Sequence, residues 1–130
     1  MPRKQTRPPL SDSQLEILQI IWQHREITVS NVWQEIASKR PVARNTVLTV
    51  MDRLEKRGWL SKRSVGNTDL YQAIVSRKKT LSEIARQFVD TVFGGSADSL
   101  VMALLEGRGV SADEAQRIRQ RIDEAKKKPD

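Results

Sequence analysis

Three features of the sequence predict a mainly helical, α+β fold. Apolar residues recur at three- and four-residue intervals in three successive segments between residues 11 and 57, and two strand-like runs, 59 to 64 and 69 to 74, flank Gly66-Asn67. After Ser76 the helical spacing resumes in three more segments. Helix, helix, helix, strand, strand is the order of a winged helix-turn-helix, and the last three helices form a region of their own.

Each element has a local cause. Ser11 with Gln14 makes a capping-box start for a first helix that carries Leu15, Leu18, Ile21 and Trp22 and runs to about His24. Ile27 adds a short strand. Thr28 then caps a second helix whose apolar face is Val29, Val32, Trp33 and Ile36, ended by Lys39, Arg40 and Pro41. The third helix spans about Arg44 to Arg57 and stops at Gly58, where a left-handed residue is needed; Lys56 and Arg57 suit the negative end of its dipole. Val65-Gly66-Asn67-Thr68 joins the strands, because Gly and Asn tolerate the positive φ of a tight hairpin. Ser76 caps a long helix with Leu81, Ile84, Phe88, Val89 and Val92, broken by Phe93-Gly94-Gly95. Ser96 starts a shorter one that Gly107 and Gly109 close, and Ser111 with Glu114 makes a capping box for the last, with Ala115, Ile118 and Ile122.

The 130 residues can bury a core without metal or disulfide staples. With no Cys there are no disulfides, thiol nucleophiles or thiolate metal sites, and no cofactor or metal is expected. The first residues lack a signal-like apolar stretch, and no run approaches the roughly 18 apolar residues of a membrane span, so a soluble, cytoplasmic protein is expected. The net charge of +7 is unevenly placed: residues 1 to 80 hold 15 Lys or Arg against 7 Asp or Glu, whereas residues 81 to 130 hold 8 against 9. Basicity confined to one half points to a polyanion-binding N-terminal region.

The third helix is the element suited to a DNA groove. It offers Arg44, Asn45, Thr46, Thr49 and Arg53 on one side and Val47, Val50, Met51 and Leu54 on the other. The amide, hydroxyls and guanidinium of Asn45, Thr46, Thr49 and Arg53 suit base edges, while Arg44, the wing residues Lys62 and Arg63, and Arg3, Lys4 and Arg7 of the arm suit phosphates, as do Lys39 and Arg40. For Arg53, a salt bridge to a carboxylate such as Asp52 or Glu55 is the competing reading. Trp22, Trp33 and Trp59 belong to the core rather than to a stacking platform, Tyr71 packs on the body, with its hydroxyl on a phosphate as the alternative, and His24 is a surface residue near a helix C-terminus. The expected division is a flexible basic arm over 1–9, the winged helix over 10–75, a helical dimerisation region over 76–125 and a flexible tail over 126–130. The small C-terminal helices bury their faces most economically against a second copy. The homodimer contact is expected to use Phe88, Val92, Phe93, Leu100, Val101, Leu104, Leu105 and Ile118; packing against the N-terminal domain is the alternative.

Residues 10 to 22 (LSDSQLEILQIIW), 45 to 58 (NTVLTVMDRLEKRG) and 93 to 105 (FGGSADSLVMALL) resemble the BlaI/MecI/CopY family of penicillinase-type repressors. The likeness covers about residues 10 to 125, and its specific parts are Thr46-Val47, Arg53-Leu54 and Gly58 with the Phe93-Gly94 break. The resemblance implies a bacterial, dimeric winged-helix repressor of dyad-symmetric operators, each protomer reading one half-site. It further implies derepression by disruption or proteolysis of the dimerisation region, with a membrane sensor metalloprotease as a partner. The positions matching the cleaved Asn-Phe bond of the β-lactam-responsive members are Ala103-Leu104, and the Cys cluster of copper-responsive members has no counterpart. Ala43 stands where a Ser cap is common, a difference expected to cost the recognition helix about 1 kcal/mol.

A sequence-specific repressor is therefore the leading expectation. The second is a winged-helix interaction module for an acidic protein or RNA. An enzyme is a distant third, since the chain lacks a Cys nucleophile, a His-Glu metal motif and a phosphate-cradling Gly loop.

Overall fold

A computed structural model describes residues 10 to 127, with side chains described through residue 124. The elements are α1 (Asp12–Trp22), α2 (Val29–Ala37), α3 (Arg44–Lys56), β1 (Leu60–Val65), β2 (Thr68–Ala73), α4 (Arg77–Val92), α5 (Ala97–Glu106) and α6 (Ala112–Lys127). The chain forms two compact units that part between Thr80 and Leu81, within α4. This lies five residues beyond the expected boundary and coincides with the change in charge balance. At the other end α6 continues to Lys127, into the stretch expected to be a tail.

In the first unit, α1, α2 and α3 pack on one another, and α1 and α2 also meet β2 while α3 meets β1. The capping box at Ser11 and Gln14 is complete. Thr28 accepts the Asn31 N–H to start α2. The core comprises Ile17, Leu18, Ile20 and Ile21 of α1, Val29, Val32 and Ile36 of α2, Val47, Met51 and Leu54 of α3, and Ile27, Trp59, Leu60 and Tyr71. These are the inward positions of three amphipathic helices and one sheet face, so a single cluster fixes the orientation of α3.

The end of α3 is a Schellman motif: Gly58 has φ 86°, its N–H reaches the Glu55 carbonyl, and the Trp59 N–H reaches Leu54. Both Leu54 and Trp59 are buried, which seats the start of the wing on the core. The strands pair antiparallel from Leu60 opposite Ala73 to Val65 opposite Thr68, leaving a two-residue turn. Gly66 alone takes the positive φ there, at 63°, the pattern of a type II′ turn; Asn67 does not share it. Ile27 exchanges both backbone hydrogen bonds with Tyr71, at 3.0 and 2.8 Å, and so adds a one-residue third strand.

In the second unit, Gly94 and Gly95 are both left-handed, with φ of 60° and 86°, and end α4. Ser96 and Ser111 cap α5 and α6 by accepting the N–H groups of Ser99 and Glu114. The end of α5 departs from expectation: Gly107 is not left-handed, and the residue that is, Arg108 with φ 59°, carries a side chain. Arg108 and Gly109 still bond back to Leu105 and Leu104 in Schellman fashion.

Candidate nucleic-acid interface

On α3 four of the five predicted residues, Asn45, Thr46, Thr49 and Arg53, fall on one face, whereas Arg44, seven residues before buried Met51, lies at the first turn on the side of α2. Arg44, Asn45, Thr46, Thr49 and Arg53 are exposed, while Val47, Met51 and Leu54 on the opposite face are buried and Val50 is half-buried. A helix held by its apolar stripe and presenting amide, hydroxyl and guanidinium groups outward has the form that a major groove accepts. Thr49 donates its hydroxyl proton to the Asn45 carbonyl, 2.9 Å away, so its oxygen remains available only as an acceptor. The Arg44 Nε donates to the Ser30 hydroxyl at 3.1 Å, tying the first turn of α3 to the first turn of α2. Ala43 supplies no side-chain cap.

Arg53 makes none of the ion pairs found among the described residues. Its neighbour Asp52 instead accepts a hydrogen bond from the Tyr71 hydroxyl at 3.1 Å. Burial first, and then the Asp52 carboxylate, push the Tyr71 phenol above its ordinary value.

In the wing, Lys62 is exposed and its ammonium lies 5.9 Å from the Tyr71 ring centroid. Arg63 is also exposed, but Glu26 grips it in a bidentate pair, Nε to Oε2 at 2.6 Å and Nη2 to Oε1 at 2.8 Å. Those hydrogen bonds hold the Glu26 carboxyl below its ordinary 4.5. Arg40 is likewise engaged by Glu16, so two of the cations expected on phosphates, Arg63 and Arg40, are held in ion pairs, whereas Lys39 is exposed. Arg3, Lys4 and Arg7 lie outside the described residues.

The tryptophans serve the scaffold. Trp33 donates its indole N–H to the Val42 carbonyl at 2.8 Å, bracing the turn before α3, and Trp22 donates to Val75 at 3.0 Å, just past the wing. Trp59 is buried. His24 is on the surface with Glu35 at 3.0 Å, an acidic partner eleven residues away that spacing alone did not disclose.

The second unit presents a different surface. Phe88 and Val92 are 48% and 57% exposed on successive turns of α4, and Phe93 packs edge-on against Phe88, with ring centroids 5.6 Å apart. Leu100, Leu104, Leu105 and Ile118 are half-buried. Val101 corrects the expected interface list: at 2% exposure it is already buried within its own protomer, as is Ala115 of α6, because α5 packs on α6. Ala103 is exposed and Leu104 half-buried inside α5; their carbonyls accept from the N–H groups of Gly107 and Gly109 at 3.0 and 2.7 Å. No single helix among the described residues is long and apolar enough to cross a membrane.

Comparisons with known proteins agree with this architecture. The family model described as "Penicillinase repressor" matches residues 10–124. The chain is 26% identical to the penicillinase repressor of Bacillus licheniformis, covering 92% of this chain and 93% of that one. It is also 26% identical to the methicillin resistance regulatory protein MecI of Mammaliicoccus sciuri, covering 85% and 89%. The solution structure of the DNA-binding domain of the repressor BlaI superposes with a TM-score of 0.51 at 27% identity, covering 57% of this chain and 90% of that domain. An operator-DNA complex of MarR from E. coli superposes with a TM-score of 0.51 at 17% identity over 89% of this chain and 75% of that one, a likeness of fold alone. The fold is thus a winged helix, and the chain belongs to the penicillinase repressor family.

Proposed function

We propose that the chain is a transcriptional repressor that binds dyad-symmetric operator DNA as a homodimer and reads base sequence with α3. One observation carries the reading: the polar row Asn45, Thr46, Thr49 and Arg53 stands exposed, with Arg44 exposed at the first turn, on a helix whose other face is locked into the core, within the basic half of the chain. The names of the relatives, penicillinase repressor and methicillin resistance regulatory protein, agree with it.

In this mechanism Asn45, Thr46, Thr49 and Arg53 meet base edges, and Arg44, Lys62 and the arm residues Arg3, Lys4 and Arg7 meet phosphates. Counterion release supplies most of the affinity, and each good base contact discriminates by about 1 to 3 kcal/mol. The exposed apolar surface around Phe88, Val92 and Phe93 supports a contact between two copies. Linking two half-sites multiplies their binding, so any event that separates the copies releases the operator without touching α3. Proteolysis at Ala103-Leu104 by a membrane sensor metalloprotease is one such event in this reading. Because both carbonyls are hydrogen-bonded within a helix, the end of α5 must open before a protease can bind it extended. A cytoplasmic location goes with this function.

The test is a truncation after Phe93, assayed for size and for binding to a duplex enriched from a random pool by the full chain. A smaller assembly with affinity lowered by about 10²-fold or more is expected. An unchanged dimer with unchanged affinity overturns the mechanism.

A further inference from the structure

Resting on the DNA-reading role proposed for α3, we infer that Tyr71 and Asp52 are positioning residues for sequence recognition, a buried strut that sets the angle between the recognition helix and the wing. Tyr71 links three parts of the first unit. Its backbone exchanges two hydrogen bonds with Ile27, immediately before α2; its ring lies beneath the Lys62 ammonium of β1; and its hydroxyl ends on Asp52 of α3. At 1% exposure the side chain is confined by the core, so the position of the hydroxyl is fixed by β2 rather than by solvent.

Asp52 is the point of α3 at which such a tie controls what the outer face presents. It lies beside Arg53 in sequence and one turn beyond Thr49 and Leu48, and a rotation or slide of α3 moves all of the outward row together. Apolar packing of Val47, Met51 and Leu54 holds the helix against the body but is non-directional, whereas one O–H donor on one carboxylate oxygen defines a rotational setting. The same bond keeps the Asp52 carboxylate engaged inward, while Arg53 has no ion pair among the described residues. Lys62, stacked over the ring, places a phosphate-binding cation in a fixed relation to that setting. Base reading needs this geometry; phosphate binding, which tolerates shifts, does not.

The experiment uses the full chain, a duplex enriched from a random pool by the wild-type protein, and a random duplex of equal length. Tyr71→Phe and Asp52→Ala each should weaken binding to the enriched duplex by about tenfold while changing the random duplex by less than about twofold, since one oriented hydrogen bond is lost. The double variant should be no worse than either single one, because both remove the same tie. Asp52→Asn keeps an oxygen acceptor and should restore the ratio of enriched to random affinity to near wild type. Circular dichroism and thermal melting show whether each variant is folded. An unchanged ratio in Tyr71→Phe, or equal loss on both duplexes in a folded protein, overturns the inference. Failure of the wild-type chain to prefer its enriched duplex overturns the DNA-reading role itself, and the strut with it.

Discussion

Arg63 of the wing and Glu26 of the α1–α2 connection face each other in a two-pronged ion pair, with nitrogen–oxygen distances of 2.6 and 2.8 Å. Ile27, the residue after Glu26, pairs with Tyr71 of β2, and Arg63 pairs with Leu70 of the same strand from the other side. The pair therefore spans the middle strand of the small sheet and ties its two edges. It also occupies a cation that would otherwise be offered to phosphate.

Glu26→Gln is predicted to free Arg63 for DNA. The plot of log affinity against log salt should steepen by about 0.9 for each added phosphate contact per protomer, with tighter binding at low salt. An unchanged slope would mean that Arg63 is only a brace. The pH dependence has a definite sign. Because the folded Glu26 carboxyl titrates below its ordinary 4.5, the contribution of the pair to stability is present above that value and is lost as pH falls through the lower folded one. Melting curves of wild type and Glu26→Gln should differ at neutral pH and converge in acid, once the pH has fallen through the lowered Glu26 value.

Ala43→Ser should stabilise the first unit. The residue before α3 has extended backbone, φ −80° and ψ 143°, and no side-chain cap, so a hydroxyl there can accept an unpaired N–H of the first turn. A gain of about 1 kcal/mol is expected in urea unfolding. No change would indicate that the α3 N-terminus is satisfied in another way.

Arg108→Gly should stabilise the second unit. Arg108 takes φ 59° at the position of a Schellman motif that glycine normally fills, at a cost of about 1 kcal/mol for a residue with a Cβ. Relief of that strain is expected to raise the melting temperature by a few degrees. A lower one would show that the Arg108 side chain makes up for its backbone.

How much of this was legible in the sequence follows from the range of the interactions involved. Capping residues, the Gly58 stop, the Gly94-Gly95 break and the hairpin are set by neighbours within a few positions, and all of them appear in the structure. Apolar spacing placed Tyr71 and the tryptophans on the body for the same reason. The pairs Glu26 with Arg63, Asp52 with Tyr71 and His24 with Glu35 join residues 37, 19 and 11 positions apart, and no local pattern marks them. Val101 sits on the same apolar stripe as its neighbours; only the packing of α5 on α6 separates what is buried at home from what remains exposed. The two compact units part at Thr80, near where the charge balance also changes sign.

Val92→Asp should separate the two copies of the proposed dimer. The side chain is 57% exposed one turn from Phe88, and a carboxylate in an apolar contact is not tolerated without a partner. Sedimentation should show a monomer whose affinity for an enriched duplex is lower by about 10²-fold or more, with the winged helix still folded. A dimer of unchanged stability would place the contact elsewhere.

The most direct measurement is a competition assay with the full chain on an enriched duplex, challenged by the same duplex with its bases scrambled, with stoichiometry read by sedimentation. Two copies per duplex and a preference of about 10³-fold or more over the scrambled competitor are predicted. Equal competition by both, or a single copy bound with no preference for base order, would contradict the claim that α3 reads sequence from a paired particle.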